Sequence, residues 1–489
     1  MISVDTSKAL SPLAPLGLSP TPRVLYVTPE MADYVKVGGL GDVSAAFPRA
    51  LRAMCDVRVL IPGYRSVLAR HHAVSIISHL PAVSGLPACS IGRVTSSDGM
   101  TVYVVICPEL FDRDGTPYSD SHGRDWQDND VRFARLSMAA ADFACGLGDP
   151  DWQPNFLHLN DWPTALAAGY VAWRGLKTPT LLTIHNLAYQ GLFDSQRLSA
   201  LAIPSSSFRM DGVEFYGKLS FLKAGIFYSS HLTTVSSTYA EEVTQSKFGC
   251  GLDGLLRIRA GEGRLTGILN GIDENWDARL TTSAKQFQTG RWKTRNAQKV
   301  RRAFGLALSN GPLFAIVSRL VHQKGVDLAI EAAEHIVQKG GQLVVTGRGE
   351  ASFEHAIKDL EHRHPGSIGV RIGFDETEAR QMFAGSDFLL MPSRFEPCGL
   401  SQMYAQKFGS LPIAHRTGGL ADTIEDGHTG FLFRDLTVRS FAGAITRALD
   451  TFRAKPVLRG MRRTAMARNF AWQNAASSYA ALYREGLRA

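Results

Sequence analysis

The chain has 489 residues, with 53 Lys and Arg against 45 Asp and Glu, for a net charge of +8. Its content, 45% hydrophobic and 20% charged, is that of a globular protein, which excludes disordered, collagenous and coiled-coil chains. At about 150 residues per domain the length suggests two to four domains with large cores.

Residues 1–22 lack the basic start and long apolar core of a signal peptide and read as a flexible extension. Short β-branched runs then alternate with helical patterns. Arg23–Thr28 reads as a strand, and Asp42–Met54 has helical spacing. Further strands are expected at Val57–Ile61, Val102–Ile106, Phe156–Leu159, Leu181–Ile184 and Leu232–Val235. The span 274–310 is polar and reads as a connection. A second series follows: Leu313–Val317, Leu343–Val345, Val370–Ile372, Phe388–Met391 and Leu411–Ala414. This alternation predicts two doubly wound parallel α/β domains in tandem, with a ligand cleft between the carboxyl ends of their sheets.

Several function classes fall away early. No apolar stretch approaches the ~20 residues of a membrane span, so no membrane partner is expected. No basic stripe interleaved with aromatics occurs, so nucleic acid is not an expected partner either. The six cysteines are scattered without a C-x-x-C pair, which fits a reducing, cytoplasmic setting. Gly249-Cys250-Gly251-Leu252-Asp253-Gly254 matches a dinucleotide fingerprint but follows a helical stretch rather than a strand. Gly347-Arg348-Gly349 follows a strand but lacks the third glycine. Asp112-Arg113-Asp114 matches a metal-binding D-x-D but lies in a polar loop past Pro108, so no metal and no cofactor is expected.

Four segments carry candidate chemistry. Lys36-Val37-Gly38-Gly39-Leu40-Gly41 sits between a strand and a helix; it is either an anion-approaching turn or a tight packing turn. Arg319 and Lys324 lie five residues apart in a loop after Val317, spaced to clamp a diphosphate or simply solvated. Glu396 precedes Pro397, which fits a first helical turn; the carboxylate either caps that helix or binds a sugar hydroxyl beside the amides of Cys398, Gly399 and Leu400. His158-Leu159-Asn160-Asp161 and His185-Asn186 end two strands at the mouth of one sheet. His71-His72 and His362-Arg363-His364 read as solvated histidines.

Taken together, KVGGLGDV (36–43), DRDGTPYSD (112–120), HLNDWPTALA (158–167), TIHNLAYQG (183–191), ILNGID (268–273), SRLVHQKGVDL (318–328), SRFEPCGLSQMYAQKFG (393–409) and RTGGLADT (416–423) resemble the bacterial glycogen synthases, the ADP-glucose-using family shared with plant starch synthases, glycosyltransferase family 5. The resemblance implies a GT-B fold: residues 23–267 as an acceptor domain, 268–472 as a donor domain, and 473–489 as a helix crossing back to the first. It implies a retaining transfer of glucose from ADP-glucose to the non-reducing end of an α-1,4-glucan, or the same fold using UDP-glucose or another acceptor, or a weakened glucan-binding homologue. It assigns Arg319 and Lys324 to the diphosphate and Glu396 to the glucose hydroxyls, with help from Cys398, Gly399 and Leu400. Lys36, Gly38 and Gly39 approach the phosphates, and Phe374 stacks on adenine. His185 stabilises the developing positive centre, with its backbone carbonyl as the candidate group. Tyr118, Asp161, Asn186 and Asn270 line the sugar and acceptor region. Tyr404 stands eight positions after Glu396, where related retaining enzymes carry a second glutamate; this favours the glycogen synthase branch.

Overall fold

In a computed structural model, residues 21–70, 74–280 and 291–488 are described. The β-branched runs form strands because both faces of each are covered, and their burial is nearly continuous rather than alternating. In the first sheet these are β1 (Arg23–Val27), β2 (Asp56–Pro62), β3 (Ser75–Leu80), β4 (Cys89–Thr95), β5 (Thr101–Ile106), β6 (Phe156–Asn160) and β7 (Thr180–Ile184). A small separate sheet holds β8 (Leu192–Asp194), β9 (Glu214–Phe215) and β10 (Lys218–Ser220). β11 (His231–Thr234) and β12 (Leu265–Gly267) complete the first sheet, whose order is β12-β11-β7-β6-β1-β2-β5-β4-β3. β12 through β5 are parallel, while β4 and β3 run antiparallel at one edge. β3 and β4 escape a sequence reading because β3 is mostly exposed and β4 is interrupted by Gly92.

The second sheet contains β13 (Leu313–Val317), β14 (Gln342–Gly347), β15 (Ile368–Ile372), β16 (Phe388–Met391), β17 (Leu411–His415) and β18 (Phe431–Phe433). Its order is β15-β14-β13-β16-β17-β18, all parallel. The chain winds outward in one direction from β13 and in the other from β16. Each sheet therefore has a switch point, between β1 and β6 in the first and between β13 and β16 in the second. There the loops at the carboxyl ends diverge and leave a crevice.

The span 274–310 is not only a connection. It contains a helix, Arg291–Ala303, whose Trp292, Ala297 and Val300 are buried. The exposed Arg295, Gln298, Lys299 and Arg302, and Lys293 and Arg301 buried beside it, mask that stripe in the sequence. Residues 281–290, the extension up to residue 20 and the His71-His72 pair lie outside the described residues.

After the second sheet the chain returns to the first. Ile272 and Ala471 form a parallel bridge where the two crossings run side by side. The helix Trp472–Gly486 then packs on the helix Gly39–Leu51, with Phe47 and Tyr479 ring centroids 4.6 Å apart. His158 is a core residue here, 1% exposed, rather than one at the sheet's mouth. Its Nδ1 meets the Tyr483 hydroxyl at 2.6 Å, its Nε2 meets Thr183 Oγ1 at 2.7 Å, and its ring stacks on Tyr479. Burial holds its pKa well below the usual imidazole range, so the ring stays neutral.

Candidate active site

At the first switch point, Glu30 organises the glycine-rich turn. Its buried carboxylate Oε2 accepts the Val37 N–H at 2.7 Å and the Gly38 N–H at 3.1 Å. Its Oε1 accepts the Tyr118 hydroxyl at 2.6 Å. Sequence reasoning passed over Glu30; the available signal was an acid three residues past an apolar strand and six before Lys36. Lys36 Nζ pairs with Asp42 Oδ1 at 2.7 Å and lies 5.7 Å from the centre of the Phe374 ring. A Cβ on Gly38 would meet open space, while one on Gly39 would stand 3.7 Å from Leu400 Cδ1. Phe374 and Leu400 belong to the second sheet's loops, so the turn faces the other lobe directly.

At the end of β6, Asp161 has φ +55° and ψ −175°, a backbone region nearly confined to glycine. The strain, of order 1–3 kcal/mol, aims its carboxylate at the next strand end. Oδ1 accepts the His185 N–H at 2.7 Å and the Asn186 N–H at 3.4 Å. Asn160 donates from Nδ2 to the Val27 carbonyl, which leaves its Oδ1 to accept from His185 Nε2 at 3.0 Å. His185 Nε2 therefore carries the proton and Nδ1 is the acceptor. Burial pushes the His185 pKa down to about 3, so the ring is neutral in any ordinary assay. Burial, reinforced by nearby Glu30, pushes Asp161 up to about 7 against the lowering effect of the two N–H groups. The Asn186 side chain turns back to the Ala188 N–H at 3.1 Å.

That pKa has a measurable consequence. Between roughly pH 4 and 7 the folded chain keeps a proton on Asp161 that the unfolded chain has lost, so this group's contribution to stability falls as pH rises. Asp161→Asn resembles the protonated form and keeps an Oδ1 acceptor. We expect its melting temperature to gain on the wild type as pH rises from about 5 to 8. A difference that does not change with pH would overturn the assignment.

At the second switch point, Lys324 Nζ meets Glu396 Oε2 at 2.5 Å, with side-chain exposures of 17% and 6%. Ser393 Oγ donates to the same oxygen at 3.0 Å. Arg319 reaches across to the first lobe, where Nη1 donates to the Tyr189 hydroxyl at 3.3 Å; Nη2 donates to Gln323 Oε1 at 3.2 Å. The segment after Glu396 does not start a helix at Pro397. The helix begins at Ser401, because Gly399 at φ +70° breaks the helical path and makes residues 397–400 a turn. Glu396 is thus not a helix cap. Cys398 lies in this turn with a backbone hydrogen bond from Asn270, and burial pushes its thiol up to about 12.

The turn is held from behind. Gly419 N–H donates to the Glu396 carbonyl at 3.0 Å, and Gly418, at φ +42°, leaves no room for a Cβ against that same carbonyl oxygen. The first lobe grips both segments: Ser236 Oγ donates to the Pro397 carbonyl at 2.6 Å, and Thr238 donates to Asp422 through N and Oγ1. Glu242 Oε1 accepts from Thr417 Oγ1 at 2.8 Å and the Gly418 N–H at 3.1 Å.

The D-x-D carboxylates Asp112 and Asp114 both pair with Arg65, and among the described residues no group of three or more His, Cys, Asp or Glu side chains is arranged to hold a metal ion. Gly249 and Gly251 precede the helix Asp253–Gly261 and follow no strand, as the sequence indicated.

Comparison with known proteins places this geometry in a family. Residues 23–258 match the starch synthase catalytic domain and residues 299–455 match the glycosyl transferases group 1. Glycogen synthase 1 of Bradyrhizobium diazoefficiens is 57% identical over 458 residues, covering 93% of this chain and 99% of that protein. The chain belongs to the glycogen synthase family. A glycogen synthase of Pseudomonas putida is also 57% identical, over 95% of this chain and 90% of its own. Among solved structures, the catalytic domain of starch synthase IV from Arabidopsis thaliana, bound to ADP and acarbose, superposes with a TM-score of 0.82 at 29% identity, covering 96% of this chain and 100% of that one. Sucrose-phosphate synthase from Thermosynechococcus elongatus shares the fold at a TM-score of 0.58 and 17% identity. The fold is GT-B, and membership of the glycogen synthase family makes the chain a glycosyltransferase.

Proposed function

We propose that this chain is a retaining glucosyltransferase that moves glucose from ADP-glucose to the non-reducing end of an α-1,4-glucan. The observation that carries the reading is the cluster at the crevice. Lys324 lies on Glu396, Arg319 extends to Tyr189, and Lys36 approaches Phe374 from the other lobe.

Breaking a glycosyl-phosphate bond leaves negative charge on the diphosphate and positive charge on the sugar. Fixed cations at the leaving group stabilise that charge as it develops. Arg319 offers a planar fork to the diphosphate and Lys324 a compact charge. A bound diphosphate competes with Glu396 for Lys324, which frees Glu396 oxygens for the glucose hydroxyls. The turn amides of Cys398, Gly399 and Leu400 complete the donor site, and Phe374, 64% exposed at the end of β15, is free to stack on the base. The Glu30 clamp holds Lys36, Gly38 and Gly39 at the phosphates.

Neutral His185 adds no positive charge beside the anomeric carbon; its carbonyl faces the role of stabilising that centre. Asp161 is engaged by two N–H groups, and Glu396, once released by Lys324, is taken up by the glucose hydroxyls and Ser393. Neither carboxylate stands free as a nucleophile, which favours front-face transfer over a covalent intermediate. Tyr118, Asn186 and Asn270 border the acceptor side. Six unpaired cysteines support a reducing, cytoplasmic setting. No helix among the described residues is long and apolar enough to cross a membrane.

The test is glucose incorporation into glycogen from ADP-glucose and UDP-glucose side by side. ADP-glucose is expected to be used at least about tenfold better, which needs a difference of ~1.4 kcal/mol in transition-state binding. Preference for UDP-glucose would overturn the donor assignment, and no transfer from either would overturn the reading.

A further inference from the structure

Behind the turn that carries Glu396, a carboxylate of the first lobe holds a helix of the second. Glu242 ends the helix Ser237–Glu242 and is 8% exposed. Its Oε1 accepts from the Thr417 hydroxyl and from the Gly418 N–H, at the start of the helix Gly418–Thr423. A helix start leaves N–H groups without partners inside the helix, and a carboxylate answers them. Thr417 stands at the cap position but makes no cap hydrogen bond of its own; its hydroxyl is turned to Glu242 instead. The capping group therefore comes from the other lobe.

That helix start is also what backs the donor turn. Gly419 N–H donates to the Glu396 carbonyl at 3.0 Å and to the Pro397 carbonyl at 3.2 Å. A Cβ on Gly418 would collide with the Glu396 carbonyl, and one on Gly419 with the Cys398 carbonyl. Packing this close passes a shift at Gly418 straight to Glu396. The neighbouring ties between the lobes act elsewhere: Ser236 on the Pro397 carbonyl, and Thr238 on Asp422 further along the helix. They keep the two segments together without fixing the helix start. The two oxygens of Glu242 also differ. Oε2 is buried and has no hydrogen-bond partner among the described residues. Burial raises the pKa of Glu242, against the two hydrogen bonds and Lys247 and with Asp422. The geometry uses an acceptor at Oε1 and makes no use of a charge at Oε2.

We propose that Glu242 is a positioning residue for glucosyl transfer. It holds the start of the helix Gly418–Thr423 against the backbone of Glu396, so that Glu396 keeps its place when Lys324 turns to the diphosphate. At that moment Ser393 is the remaining side-chain partner of the Glu396 carboxylate, and the hold on its carbonyl fixes the rest. The proposal rests on the function proposed above and adds a residue that acts through Glu396 rather than on the substrates.

The test measures glucose transfer from ADP-glucose to glycogen by Glu242→Ala, Glu242→Asp and Glu242→Gln, each alone and combined with Glu396→Ala. Glu242→Ala is expected to lower kcat/KM about tenfold, a change of ~1.4 kcal/mol at the barrier. Glu242→Asp, one methylene short of Thr417 and Gly418, should do the same. Glu242→Gln keeps the acceptor at Oε1 and should stay within about threefold of the wild type. On top of Glu396→Ala, Glu242→Ala should lower the residual rate by less than about twofold, because both changes act through one group. A merely structural role would lower both backgrounds alike. Hydrogen exchange of the full chain, followed by mass spectrometry, reads the hold without activity. Glu242→Ala should speed exchange in residues 396–400 and 417–419 and leave β6 unchanged. If Glu242→Ala fails to fold by circular dichroism, Glu242→Asp takes its place, and if Glu396→Ala has no measurable rate, the exchange result decides. The proposal is overturned by wild-type activity in Glu242→Ala, by equal losses in the two backgrounds, or by unchanged exchange in the turn. It is also overturned if Glu242→Gln is as damaging as Glu242→Ala, which would assign the role to charge. Absence of any glucose transfer by the wild type would instead sink the underlying function, while exchange would still read the hold of Glu242 on the turn.

Discussion

Lys324→Ala is expected to lower kcat/KM by about 10- to 150-fold. A charged hydrogen bond is worth roughly 1.5–3 kcal/mol, and ~1.4 kcal/mol is a tenfold change in rate. The upper end is expected here because the substitution has a second effect. It leaves Glu396, 6% exposed at its side chain, with Ser393 as its remaining side-chain partner. Glu396 then loses both its counter-charge and its fixed position. Lys324→Ala and Glu396→Ala should therefore not add: the double variant is expected within about threefold of the worse single one. Lys324→Arg should not restore activity, because a planar fork does not replace a compact ammonium in so enclosed a place. Steady-state kinetics with glycogen and ADP-glucose check all four. Activity of Lys324→Ala within twofold of the wild type would remove the cation from the proposed mechanism.

The largest effect on stability is expected at the far end of the chain. Tyr483 is fully buried between Phe156 and His158. Tyr483→Ala should cost about 3–5 kcal/mol, as for other large aromatic deletions in cores. The loss of the His158 Nδ1 partner adds to it, since an unmatched buried polar atom costs roughly 1–3 kcal/mol. Removing residues 472–489 should be worse, because Trp472, Ala475, Ala476, Tyr479 and Ala480 are also buried. The first lobe is then expected to unfold while the second sheet, with its own buried cluster around Phe314, Ile316 and Leu343, stays folded longer. Denaturant unfolding followed by far-UV circular dichroism measures this. A truncated chain that melts like the wild type would show that the last helix is dispensable to the first sheet.

Much of the fold was legible because the parallel strands are continuous apolar runs with little to compete with them. Leu313–Val317 and Phe388–Met391 appear in the structure with the bounds read from sequence. What was hidden follows a physical pattern. β3, β4 and the strands of the small sheet are short or half-exposed, so neither alternation nor an apolar run marks them. The helix start after Glu396 was misplaced because Pro397 suits a first turn, and only the positive φ of Gly399 in the folded chain excludes it. At the crevice, cations and glycines stood out in sequence because their chemistry is local. Glu30 and Glu242 did not, since each acts by accepting N–H groups from residues that meet it only after folding. The strain at Asp161 was equally invisible, because nothing in an Asn-Asp-Trp string announces a glycine-like backbone.

The return of the terminal helix to the first sheet also sets the order of events at birth. On a ribosome the strands of the first sheet emerge well before the aromatic residues of Trp472–Gly486 that close over them, because the whole second lobe is made in between. At about 5–20 residues per second, a newly made β1 waits tens of seconds for its cover. Through that interval Phe47, Phe156 and His158 lack the Tyr479 and Tyr483 rings that cover them in the folded chain, and the first sheet is an unfinished surface that chaperones can meet.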